Sequence, residues 1–162
     1  MRIMIYGYGN PGRMDDGLGN AMVNRMEKWV EENNIDADFY FDSNYQLNIE
    51  DADAISDKDV VFFTDASTEE IEDFCITKVD ESAKVAFTTH AASPGYIVGL
   101  CKKIYNRSPL TYLLHIKGYV WDFREGLSEQ AKVNLEKALK HLQGLCAQPD
   151  SLTIPEKVIK NC

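Results

Sequence analysis

The sequence predicts an α/β fold: a three-layer αβα sandwich around a five-stranded, twisted sheet that is largely parallel, or mixed. Three observations lead there. Apolar, β-rich runs alternate with segments of helical spacing, the signature of strands joined by crossover helices. Two of the runs, Val60 to Thr64 and Val85 to Thr89, lack polar alternation, as strands covered on both faces do. The 162 residues, 44% of them hydrophobic, suffice for one well-buried domain but not comfortably for two.

Each element has a local reason. Arg2 to Tyr8 is an apolar run that ends in glycines. From Asp16 the period changes, and Leu18, Met22, Met26, Trp29 and Val30 fall on one helical stripe. Ala37, Phe39 and Phe41 alternate with polar neighbours as a half-buried strand does, ending near Asp42. After an acidic stretch from Glu50 to Asp59 comes the strand Val60 to Thr64, stopping at Asp65, and Val85 to Thr89 repeats that form and stops at His90. Ser93 and Pro94 are a cap followed by proline at the first helical position, with Ile97, Leu100, Cys101 and Ile104 on one face. Tyr112 to Tyr119 reads as another strand. Ser128 then caps a last helix with Ala131, Leu135, Ala138, Leu139 and Leu142 at core spacing. Pro149 and Pro155 break any long helix beyond Cys146, so residues 1–146 are read as the domain and 147–162 as a loosely held tail.

Charge and composition narrow the partners. A net charge of -9 repels nucleic-acid backbones and anionic membrane surfaces. No apolar run approaches the roughly 18 residues of a spanning helix, and Met1 to Tyr6 runs straight into a glycine loop without a signal core. A cytoplasmic location is expected, and nothing in the pattern demands more than a monomer. Cys75, Cys101, Cys146 and Cys162 form no C-x-x-C pair, so buried or idle thiols are expected, with neither a disulfide framework nor a zinc knuckle.

Chemistry concentrates where strands end, because in such a sheet the ligand crevice lies beyond their carboxyl ends. Gly7, Gly9 and Gly12 satisfy G-x-G-x-x-G, the cradle of a dinucleotide pyrophosphate. Asp15 and Asp16 oppose that reading, because carboxylates at the helix start repel phosphate and favour a cation. Asp42, the candidate ribose partner, also comes later than the roughly 20 residues expected after the glycine loop. One of the two aspartates is expected to cap the helix and the other to face a ligand; Asp15 is assigned the cap and Asp16 the ligand role. Asp65 and His90 close the next two runs, and two carboxylates with an imidazole are donors that borderline divalent metals accept. His115, inside an apolar strand, and His141, in a Lys- and Leu-rich helix, are assigned no role. No G-x-S-x-G elbow and no H-E-x-x-H occur.

Three segments in order then match a known family: Gly7-Tyr8-Gly9-Asn10 with Asp15-Asp16-Gly17-Leu18-Gly19, then Thr64-Asp65-Ala66, then Thr88-Thr89-His90 with its downstream helix. The sequence resembles the hydrogenase maturation proteases, endopeptidases that trim the C-terminal extension from the large subunit of nickel-iron hydrogenases after nickel insertion. The resemblance covers about the whole domain. It implies that Asp16, Asp65 and His90 are both the nickel-contacting and the catalytic positions, that the nickel arrives on the precursor of the large subunit, and that no permanently bound cofactor is needed. Many members carry Glu where this chain has Asp16, which shortens the reach by about 1.5 Å, one carbon-carbon bond. Tyr45 to Ala52 is expected to help shape the substrate groove. Whether the metal polarises the scissile carbonyl or activates water, or a free carboxylate acts as general base, is left open by the residues. The alternatives are a dinucleotide-binding oxidoreductase using Gly7, Gly9 and Gly12 with Asp42, and a non-catalytic nickel-dependent adaptor.

Overall fold

In the structure, a computed structural model, residues 1–81 and 92–162 are described. Strand β1 (Arg2–Tyr8) leads through a 3-10 segment (Pro11–Gly17) into helix α1 (Leu18–Glu32), followed by β2 (Asp38–Asn44) and a short α2 (Asp51–Ile55). Then come β3 (Val60–Ser67), β4 (Phe74–Lys78), α3 (Pro94–Tyr105), β5 (Leu110–Lys117) and α4 (Glu129–Cys146). A second 3-10 segment (Pro149–Thr153) and α5 (Pro155–Val158) complete the described chain. The strand order is β2-β1-β3-β5-β4. β1 pairs in parallel with β2 and β3, β3 in parallel with β5, and β4 antiparallel with β5.

The central strands bury both faces, which is why β1 and β3 carry apolar residues at successive positions. Ile3, Ile5 and Phe62 face Met22, Met26, Leu135 and Leu139 of α1 and α4. Met4, Tyr6, Val61 and Phe63 face Ile55, Ile97 and Cys101 on the other side. The helix caps follow the sequence: the Ser93 hydroxyl accepts from the Tyr96 amide at 3.2 Å and the Ser128 hydroxyl from the Ala131 amide at 3.2 Å. In α3, Ile97 and Cys101 are buried, whereas Ile104 is 62% exposed. β3 continues through Asp65 to Ser67 rather than stopping at Asp65.

Three expectations need correction or placement. The strand expected at Val85 to Thr89 lies outside the described residues; among those described, the fifth strand is β4, whose alternation is too short to signal itself. The tail is docked rather than loose. Leu152 and Val158 are fully buried, and the Tyr112 hydroxyl donates to the Leu152 carbonyl at 2.8 Å. The reason is the open side of β4: the Ile76 amide and carbonyl each bond Lys160, at 2.9 and 3.1 Å, so the tail covers an otherwise unpaired sheet edge. Finally, Cys75 and Cys162 form a disulfide with Cα atoms 5.0 Å apart. Their separation of 87 residues hid the pairing, which only the returning tail creates. The expectation of buried, free thiols holds for Cys101 and Cys146.

Candidate functional site

The first loop is built by close packing. A Cβ on Gly19 would lie 2.3 Å from the Thr64 carbonyl oxygen, so the start of α1 rests directly on the end of β3. Gly9 has φ +142, and a Cβ there would lie 2.0 Å from the Asp16 carbonyl oxygen. Both positions therefore require glycine. The amides that would have to cradle a pyrophosphate are already engaged. Gly9 donates to the Asn44 carbonyl, Asn10 to the Asp16 carboxylate, Gly12 to the Asn10 side chain, and Arg13, Met14 and Asp15 to carbonyls of Asn10, Arg124 and Val120. Asp42 is exposed and accepts from its neighbour Ser43. The glycine pattern thus serves packing, and the dinucleotide reading loses its phosphate donors.

Within this loop Met14 takes φ 47, a backbone conformation costing roughly 1 to 3 kcal/mol, held by the Met14 amide bond to Arg124. The kink sends the two adjacent aspartates to different partners. Asp15 is fully buried and accepts from the amides of Tyr119, Val120 and Ser128 and from the Ser128 hydroxyl, at 2.7 to 2.9 Å. Burial alone would push its carboxyl up, but these donors outweigh it and hold the group below the ordinary carboxylate range. Asp15 therefore does not cap α1, whose N-cap is Gly17 without a side-chain bond. It clamps the 118–128 segment instead, over a span of more than a hundred residues that no local pattern records.

Asp16 is half-buried, and its Oδ2 accepts from the Asn10 amide at 2.8 Å. Its charge bears on Asp65, which sits near the carboxyl end of β3. Burial first, and Asp16 second, push the Asp65 carboxyl from 3.8 to about 7, against the opposing hydrogen bonds of the Tyr8 hydroxyl and the Ala66 amide. Tyr8 in turn is raised by burial and by Asp65. The loop after β1 and the end of β3 thus bring Asp16, Asp65 and Tyr8 together. Tyr8 had no assigned role; its position at the end of β1, beside β3, was the available signal.

His90 lies outside the described residues. Ala92, where the description resumes, donates to the Leu47 carbonyl at 3.3 Å, in the loop that follows the carboxyl end of β2. That loop, expected to shape a groove, buries Leu47 while Tyr45 is 70% and Ile49 62% exposed. His115 bonds Thr77 at 2.9 Å, and burial lowers its pKa against the charge of Glu69. His141 packs on Phe74, and burial lowers its pKa with help from Lys160. Among the described residues, no helix is long and apolar enough to cross a membrane.

No family model matches the chain, and no curated protein matches it by sequence. Solved structures do match. A [NiFe] hydrogenase maturation protease HycI from Thermococcus kodakarensis is similar with TM-score 0.69 and 22% identity, covering 90% of this chain and 92% of that one. The hydrogenase maturating endopeptidase HybD from E. coli is similar with TM-score 0.63 and 22% identity, covering 93% of this chain and 94% of that one. A solved endopeptidase from Escherichia coli reaches TM-score 0.68 at 18% identity, covering 93% and 94%. The fold implied by the three matching segments is the fold observed.

Proposed function

We propose that this chain is an endopeptidase that removes the C-terminal extension from the large-subunit precursor of a nickel-iron hydrogenase, recognising the inserted nickel through Asp16, Asp65 and His90. The observation that carries the reading is the packing of the first loop on the end of β3, where Gly19 rests on Thr64 and the Asp16 charge acts on Asp65. Burial first, and repulsion from the Asp16 charge second, raise the Asp65 pKa to about 7, so Asp65 holds its proton to a higher pH than an ordinary carboxyl. A divalent cation relieves the same repulsion more completely. Carboxylate oxygens and an imidazole nitrogen suit nickel, and a set of three leaves positions for ligands the substrate already supplies.

The sequence resemblance supplies His90, and the likeness to solved maturation proteases supports the reaction class. The chain's own residues have clear tasks in that reaction. Asn10 and the Gly9 contact fix Asp16, the start of α1 fixes the end of β3, and the Tyr8 hydroxyl favours the ionised Asp65 carboxyl. Asp65, with a pKa of about 7, is placed to give up its proton as the precursor's nickel docks. The nickel is part of the substrate, so docking itself certifies that the precursor is loaded. Hydrolysis then adds water across the peptide bond before the extension.

The test is the mass of a nickel-loaded precursor after incubation with the wild-type chain and with Asp16→Asn, Asp65→Asn and His90→Ala. Loss of the extension with the wild type alone, while all three variants remain folded, supports the reading. An intact precursor that nevertheless forms a stable complex would make the chain an adaptor, and cleavage undiminished in all three variants would remove these residues from the site.

A further inference from the structure

We propose that Cys75, His115 and Cys162 form a second metal site, a thiolate and imidazole centre for a borderline divalent ion such as zinc, available when the Cys75–Cys162 disulfide is reduced. One donor atom from each residue already lies within 4.8 Å of the other two. A tetrahedral zinc with bonds of about 2.3 Å to sulfur and about 2.0 Å to nitrogen needs donor separations of roughly 3.3 to 3.8 Å. The imidazole is therefore close to its place, and the larger change is the parting of the two sulfurs.

The fold favours that change. Cys75 is buried in β4, and His115 stands beside it in the β4–β5 pairing, with its ring bonded to Thr77 at 2.9 Å. Cys162 is exposed and lies beyond the Ile76–Lys160 bridge, so its sulfur can move while the rest of the tail stays docked. Two fixed donors and one adjustable donor are what a closing metal site needs. Two sulfurs and a nitrogen also select differently from the oxygen-rich Asp16–Asp65 pair, although Asp65 is the register partner of His115 on the neighbouring strand. The two centres are separate in residues and in chemistry.

The redox step balances with a dithiol as reductant. Two electrons and two protons pass to the bridge, the sulfur-sulfur bond breaks, Cys75 and Cys162 become thiols, and the dithiol leaves as its own disulfide. Binding of the ion then releases the two thiol protons to solvent. Either state ties the tail to β4, by a covalent bond when oxidised and through the ion when reduced.

The experiment is anaerobic titration of the reduced full-length chain with cobalt(II), followed by displacement with zinc. The expected result is a thiolate-to-cobalt charge-transfer absorption that saturates at one ion per chain, disappears on adding zinc, and is absent from the oxidised chain. Cys162→Ser, an exposed change checked for folding by circular dichroism, should lose the band, and His115→Gln should shift the cobalt spectrum. Asp16→Asn with Asp65→Asn should leave the band unchanged, which separates this site from the proposed nickel-reading one. A folded, reduced chain without the band, or a band that survives in Cys162→Ser, overturns the proposal.

Discussion

The charge on Asp16 reaches across from the first loop to Asp65 at the end of β3 and, after burial, is the second cause that holds the Asp65 carboxyl at about 7. Replacing Asp16 by Asn removes that cause and leaves burial in place. The Asp65 pKa should therefore fall below about 7 while staying above its ordinary 3.8. Carboxyl carbon NMR across a pH series reads this directly, and an unchanged midpoint would mean that the two groups do not face one another.

The same shift fixes the sign of a stability effect. The folded Asp65 binds its proton more tightly than the unfolded one, so its contribution is fully present below pH 3.8 and is lost as the pH rises to about 7. Asp65→Asn cannot ionise and escapes that loss. Relative to wild type, the variant should gain stability progressively from about pH 4 to pH 7 and then level off, by at most about 4 kcal/mol. Urea unfolding at pH 4 and pH 8 checks it; a variant less stable at pH 8 than at pH 4, relative to wild type, contradicts it.

Asp15 and Asp16 are adjacent in sequence and should respond very unequally to the same change. Asp15→Asn removes a fully buried charged acceptor from four donors and should cost about 3 kcal/mol or more. Asp16→Asn should stay within about 1 kcal/mol of wild type, because its one backbone bond, to Asn10, can be kept by the amide oxygen. Chemical denaturation of both variants separates the clamp from the site residue, and equal losses would erase the distinction.

Gly9→Ala puts a Cβ against the Asp16 carbonyl in a backbone conformation that alanine rarely adopts. The expected cost is roughly 1 to 3 kcal/mol of stability, with a larger fractional loss of precursor processing because Asp16 itself is displaced. Gly144→Ala, inside α4 where nothing lies within 4 Å, is the control and should leave processing unchanged while raising stability by about 1 kcal/mol or less. Unfolding curves and processing rates on the same preparations give the comparison.

Local signals in the sequence were enough for much of this architecture. Ser93 and Ser128 mark helix starts by chemistry confined to three residues, and Val60 to Thr64 declares a doubly covered strand by composition alone. Asp65 was legible for the same reason, as the polar residue interrupting such a run. What escaped is what depends on distant partners. The anchoring of Asp15 depends on Tyr119, Val120 and Ser128, and the fate of Cys75 on a tail 87 residues away. β4 escaped because five residues on an antiparallel edge, flanked by polar turns, give too short a pattern to separate from a loop. The glycine motif misleads when read alone, since close packing of α1 on β3 and a pyrophosphate cradle demand the same residue type for different reasons.

The most direct test of the central claim is to offer the wild-type chain two precursors of the same hydrogenase large subunit, one loaded with nickel and one without, and to follow the mass of each. The account predicts that only the loaded precursor loses its extension, and that its processing slows as the pH falls below about 7, where Asp65 keeps its proton. Equal trimming of both precursors would contradict it.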